Sequence, residues 1–196
     1  MKNANPLTKY YDKSRYQKIR EFIFSRFKEG MKIADLGSGS SSWNTAKLPV
    51  TAIDINEEMI QYGKKIGTIK DSVTADLEKP LPIAKEKFDF VVMSEVIEHL
   101  AEPKKQLQEA NRILKKGGFL VVTVPLDTPL SPWQILFEIG CFIRGDVMGN
   151  NYFKKRCGHV QHFSVFSISE LLEKNGFKVV EKNITALNIG MVAQKM

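Results

Sequence analysis

Apolar runs of strand length alternate along this chain with segments of helical periodicity, and that order restricts the fold to α/β architectures built on a parallel sheet. The runs are MKIADL, ending on Gly37; VTAIDI, from Val50; a weaker DSVTAD; FDFVVM, from Phe88 to Met93; FLVVTV, leading into Pro125; and FKVVEKNI and LNIGMVAQ in the tail. Ile19, Phe22, Ile23 and Phe27 recur at helical spacing and predict an amphipathic helix over Arg15 to Phe27. Glu57 to Lys65 reads as a second helix. Pro103 opens a third, with Leu107, Ala110 and Leu114 on one face and a stop at Gly117-Gly118. Ser167-Ile168-Ser169-Glu170 has capping-box spacing and predicts a helix that ends at Gly176.

Leu126 to Gly158 breaks this rhythm with prolines, glycines and aromatics. Its apolar stretch WQILFEIGCFI is too short to span a bilayer and contains Glu138, so a buried or interfacial helix is expected. With 196 residues, 43% hydrophobic and 26% charged, the chain fits one packed domain spanning 1–196. The N-terminal MKNANPLTKYYDKSRYQKIR lacks the apolar centre of a signal peptide, which points to a cytoplasmic protein. Cys141 and Cys157 form neither a disulfide framework nor a closely spaced metal pair and read as small buried hydrophobes. A net charge of +7 admits an anionic partner, but lysines such as Lys64-Lys65, Lys104-Lys105 and Lys115-Lys116 are scattered, with no basic run interleaved with aromatics. Nucleic acid is therefore not expected.

Parallel sheets bind ligands at the carboxyl ends of their strands, near the point where strand order reverses. That rule directs attention to Asp35–Ser42, Asp54, Asp76 and Ser94–His99. Asp35-Leu36-Gly37-Ser38-Gly39 is a glycine-rich turn directly after the first strand, where a backbone can approach a ligand closely. Asp54 follows Asp35 by 19 residues at the end of the second strand, the spacing at which an acid reaches ribose hydroxyls. A dinucleotide fingerprint would need glycine at Ser42, and Asp35 would repel a diphosphate. An amino-acid moiety carrying an ammonium group suits that acid better.

From about residue 30 onward the sequence resembles the class I S-adenosylmethionine-dependent methyltransferases, of the small single-domain type similar to ubiquinone-type O-methyltransferases. IADLGSGS is similar to their first motif, AIDIN to the ribose-binding acid, ADLEKPLPIAKEKFDFVVMSEVIEHL to the adenine-binding acid with the fourth strand and its loop, and NRILKKGGFLVVTVP to the later helix–turn–strand. The resemblance implies a Rossmann-like, doubly wound sheet of seven strands, mostly parallel with a C-terminal antiparallel hairpin. It implies S-adenosylmethionine as cofactor. Asp35, Leu36, Gly37, Ser38 and Gly39 would surround the methionine part, Asp54 and Ile55 the ribose, Asp76 and Leu77 the adenine, and Ser94 the cofactor's near side. The family often has a third glycine where this chain has Ser41, which fits if the backbone there is helical.

Methyl transfer needs alignment and exclusion of water rather than a protein nucleophile, although a hydroxyl or amine acceptor gains from a base. His99, His159 and His162 all fall at the expected face and are the candidate bases. If the loop turns helically, Glu95 faces Glu98 and His99 at helical spacing. Those three, with His162 as a fourth, are candidate ligands for a divalent metal, which the SEVIEHL motif supplies in some relatives but which is not expected here. The acceptor is read as a small or lipophilic hydroxylated molecule covered by 126–158, with Trp133, Phe137, Phe142 and Phe153 as an apolar wall and at most peripheral contact with a membrane. Alternatives are an RNA 2′-O-methyltransferase and a non-catalytic protein that keeps the cofactor. The oligomeric state is not legible.

Overall fold

Strands β1 (Ile33–Leu36), β2 (Val50–Asp54), β3 (Asp71–Thr74), β4 (Phe88–Ser94), β5 (Leu114–Pro125), β6 (Phe177–Ile184) and β7 (Asn188–Lys195) form one sheet in the order β3-β2-β1-β4-β5-β7-β6. The computed structural model describes residues 6–129, 131–155, 158–185 and 187–196. The first five strands pair in parallel, and β7 runs antiparallel to both β5 and β6. All seven expected runs are strands, and the terminal hairpin is present in a Rossmann-like arrangement. The chain leaves β1 in one direction toward β2 and β3, then returns to β4 on the other side. That reversal opens a crevice at the carboxyl ends of β1 and β4.

Helices cover both faces because the central strands are apolar on both sides. Ala34, Leu36, Val91, Met93, Leu120 and Val122 point to a core closed by α3 (Pro103–Ile113) and α6 (Val165–Lys174). Alternate residues Ile33, Phe90, Val92 and Val121 point the other way and meet Ile19, Phe22 and Ile23 of α1 (Pro6–Arg26). On that same side α2 (Glu57–Ile66) sets Ile60 against Ala52 and Ile69.

Three local expectations are corrected. Helix α1 begins at Pro6 rather than Arg15. Helix α3 ends at Ile113, and Leu114, paired with Phe88 of β4, already belongs to β5, whose Gly117-Gly118 falls in the irregular stretch before Phe119 joins the ladders to β4 and β7. Helix α6 starts three residues earlier than its apparent capping box. Ser164 is the cap and Ser167 its reciprocal partner, since each hydroxyl accepts the other's backbone N–H. No helix forms over 37–49 among the described residues, so β1 and β2 are joined by turns alone.

The segment after β5 carries α4 (Pro132–Cys141), which runs directly into a π-helical turn (Phe142–Val147), then the single turn α5 (Asn151–Lys154). Ser131 caps α4 by accepting from Gln134 N. Cys141 is buried, whereas Cys157 lies outside the described residues. Among the described residues no helix is long and apolar enough to cross a membrane.

Candidate cofactor and acceptor site

Gly37 closes β1 with φ +64, and its N–H donates to Ile53 O at 2.8 Å. A Cβ added at Gly37 would lie 2.5 Å from Val96 Cγ2, so glycine is what lets the loops after β1 and β4 approach each other. Asp35 is buried and accepts from Ser41 Oγ at 2.7 Å and Trp43 Nε1 at 2.8 Å. Burial pushes its carboxyl up to about 6, opposed by those two bonds. Ser41 has φ +48, so the helical backbone expected there is not found; the position is left-handed, the conformation a glycine would adopt without strain. Its hydroxyl bond to Asp35 offsets that strain locally.

Asp54 ties the two loops together. Its Oδ2 accepts Gly39 N–H at 2.7 Å and its Oδ1 accepts Asn56 N–H at 2.8 Å, while Asn56 in turn caps α2. Each carboxylate oxygen keeps a second lone pair for a ligand hydroxyl. Asp76 accepts from Glu78 N–H at 2.9 Å, and that backbone bond holds its carboxyl below the usual range, with Lys79 assisting.

Two cavities adjoin along the crevice and share Gly37 and Glu95. One, of about 640 Å³, is lined by Asp35, Ser38, Gly39 and Ser94; the other, of about 410 Å³, by Asp54, Ile55, Asp76 and Leu77. This pair fits a cofactor with an adenosine end and a charged amino-acid end. The turns over 37–49 present no helix N-terminus to a diphosphate, and the buried acid at Asp35 would repel one. Leu36 is the exception among the expected residues: its side chain is fully buried in the α3 side of the core and lines neither cavity.

Sequence reading missed Arg15, Tyr16, Trp43, Met59 and Tyr62, which line the larger cavity. Arg15 stacks its guanidinium 4.5 Å above the Tyr16 ring and donates to the Tyr16 hydroxyl at 2.8 Å. No local pattern marks these positions: Arg15 and Tyr16 reach the site from α1, Met59 and Tyr62 from α2, and Trp43 from the turns after β1.

Beyond β4 the loop is organised differently from expectation. Glu95 is left-handed at φ +55, and a 3₁₀ turn covers only Ile97–His99, so Glu95, Glu98 and His99 do not share one helical face. Glu98 is 1% exposed, and neither carboxylate oxygen finds a hydrogen-bond partner among the described residues. Burial, then the neighbouring Glu95 charge, pushes its carboxyl well above the usual range. His99 Nδ1 lies 3.2 Å from Gly158 O, and its ring meets His159 edge-on at 4.8 Å. The His159 ring stacks on Phe137 of α4 at 4.9 Å. Burial, then His99, holds the His159 pKa down to about 4, and its Nδ1 is buried without a partner among the described residues. His162 is instead paired through Nδ1 with Asp127 Oδ2 at 2.6 Å, an acid the sequence reading did not single out.

Among the described residues, those grouped to hold a cation are Glu98, His99 and His159, whose ligand atoms lie within 4.8 Å of one another. Glu95 and His162, expected in that set, are not brought into it. Of the expected apolar wall, Phe137 faces the histidines and Phe153 lies under Arg144, but Phe142 points away at 58% exposure. The Trp133 side chain lies outside what is described.

A family model described as a methyltransferase domain matches residues 8–182. The chain is 28% identical over 193 residues to a protein of Haemophilus ducreyi named ubiquinone/menaquinone biosynthesis C-methyltransferase UbiE, covering 86% of this chain and 72% of that one. It is 33% identical over 112 residues to the demethylmenaquinone methyltransferase of Renibacterium salmoninarum, covering 55% and 47%. Its fold is similar to that of a SAM-dependent methyltransferase from Aquifex aeolicus, with a TM-score of 0.65, 20% identity, and 99% and 100% of the two chains covered. The chain belongs to the methyltransferase-domain family and is an enzyme that takes S-adenosylmethionine as its cofactor.

Proposed function

We propose that the chain is a cytoplasmic enzyme that methylates a hydroxyl, or an amine, of a small lipophilic acceptor lying between the two cavities and the 126–158 segment. S-adenosylmethionine supplies an electrophilic methyl group. Asp35, Gly37, Ser38 and Gly39 hold its methionine end, with Arg15 placed to pair with the carboxylate. Asp54 takes the ribose hydroxyls, Asp76 the adenine amino group, and Ile55 and Leu77 the faces of the ring. Ser94, linked to Thr123 Oγ1 at 2.9 Å, borders the near side.

The observation that carries the acceptor reading is His99, which lines the adenosine-side cavity and has Nδ1 beside the Gly158 carbonyl. A proton on Nδ1 donated to that carbonyl leaves Nε2 bare to take a proton from the acceptor. His159 is neutral near pH 7, and its ring packs against both the imidazole of His99 and the ring of Phe137. The His162–Asp127 pair is a second base of the same type, at the exposed edge of the site. Segment 126–158 excludes water above them.

A second reading has support from the relative named a C-methyltransferase. Deprotonating a phenolic hydroxyl also makes the ring carbon nucleophilic, so the same base serves carbon methylation. Turnover of a lipophilic phenol, followed by product analysis, separates the two: a methyl ether supports transfer to oxygen and a ring methyl supports transfer to carbon. No transfer to any phenol or amine, with S-adenosylmethionine bound, would remove the proposal.

A further inference from the structure

The stretch from α4 into the π-helical turn exposes a run of large apolar side chains, interrupted by the exposed charges of Glu138, Arg144 and Asp146. Phe137, Cys141 and Gly145 form its inner stripe, with Phe137 on His159 and the other two buried. Ile135, Ile139, Phe142 and Ile143 lie on the opposite side, continued by Val147 and Met148; all six are exposed, Val147 and Met148 to 67% and 72%. Contiguous apolar surface of this kind on a folded domain marks an interaction site.

From this geometry we infer that the outer face of the α4–π-turn stretch rests in the surface of an anionic lipid bilayer. The stretch is too short to span a membrane, so it lies along the interface with its apolar side chains below the headgroups. Glu138 and Asp146 offset Arg144 and Lys155 locally, and the attraction to anionic lipid comes from the net charge of +7 carried by the whole chain. The inner stripe of the same helix bears on the imidazoles of the acceptor site, so a bilayer beneath the outer stripe brings dissolved lipophilic molecules to the histidines without passage through water. This extends the lipophilic-acceptor reading, and the surface contact can be measured whatever the acceptor is.

The test is co-sedimentation of the full chain with vesicles of equimolar phosphatidylcholine and phosphatidylglycerol, with light scattering of the free protein alongside. The wild type pellets with the vesicles, and the combined Ile139→Ser, Phe142→Ser, Ile143→Ser variant binds about tenfold or more weakly. The three residues are exposed, and unchanged S-adenosylmethionine affinity by calorimetry verifies that the variant is folded. A wild type that stays in the supernatant, or a variant that pellets as well as the wild type, overturns the inference. So does a wild-type dimer that the variant dissolves, because a second copy then covers the face.

Discussion

The two halves of the site are built by opposite rules. On the cofactor side, Asp35 is held by two hydrogen bonds from the loop after β1, Asp54 by one from that loop and one from its own, and Asp76 by a backbone bond, before any ligand arrives. On the acceptor side, Glu98 and His159 bury polar atoms that have no partner among the described residues, and the adjacent helix exposes apolar side chains. Buried, unpaired polar groups cost stability, each on the order of 1–3 kcal/mol, and persist where a ligand completes them. On the proposed function, this contrast is that of a preorganised cofactor cradle facing an acceptor pocket that is finished only when it is filled.

The largest effect separating the halves is expected at His99. His99→Ala should lower turnover by about 10²–10⁴, the range for a lost acid–base group, while leaving S-adenosylmethionine affinity by calorimetry nearly intact. A chelator should leave wild-type turnover unchanged. If chelation instead abolishes turnover at constant cofactor affinity, a cation on Glu98, His99 and His159 does the activating.

Next comes the pH dependence contributed by Asp35 in the cofactor half, separate from those of Glu98 and His159 across the crevice. Asp35 is raised from 3.8 to about 6 in the fold, so the fold favours its protonated form. That contribution is complete below about 4 and disappears as pH rises through about 6, a swing of about 3 kcal/mol for a shift of this size. The difference in unfolding free energy between wild type and Asp35→Asn, followed by denaturant across this window, should show it, since His159 shifts the profile of both proteins in the opposite sense. Cofactor affinity should move the other way, rising through about 6 as the carboxylate forms beside the ligand's ammonium group.

A smaller effect is expected from Asp54→Ala, which removes bonds worth roughly 1.5–3 kcal/mol and should weaken S-adenosylmethionine at least about tenfold. Unchanged affinity in a folded variant would take Asp54 out of the site. The smallest concerns dynamics: amides of 126–158 should exchange faster than those of β4 and slow when cofactor and acceptor bind. Equal protection in both, with no response to ligand, would make the segment a fixed part of the core.

The seven strands and the acids at their ends were legible because a buried parallel strand writes itself as a continuous apolar run and the ligand side of such a sheet follows from topology. Element ends were less so. Gly117-Gly118 looked like a helix stop but lies in β5, and the Ser167–Glu170 spacing looked like a capping box whose true cap, Ser164, lies three residues earlier. Both errors arise where two local patterns overlap and tertiary pairing selects one. In the site, the Glu95, Glu98 and His99 geometry failed because one left-handed residue at Glu95 breaks the assumed helix, a torsion the sequence does not announce. Arg15, Tyr16 and Asp127 were invisible since each is brought in by long-range packing. Leu36 was carried along by its motif although strand alternation turns its side chain into the core.

The most direct test of the account is a crystal structure with S-adenosylhomocysteine. The ribose hydroxyls should lie within hydrogen-bonding distance of Asp54, the adenine between Ile55 and Leu77 beside Asp76, the amino-acid end in the Asp35 cavity near Arg15, and the sulfur directed toward the Glu95–His99 loop. A ligand bound with its ends exchanged, or with its sulfur turned away from His99, would contradict it.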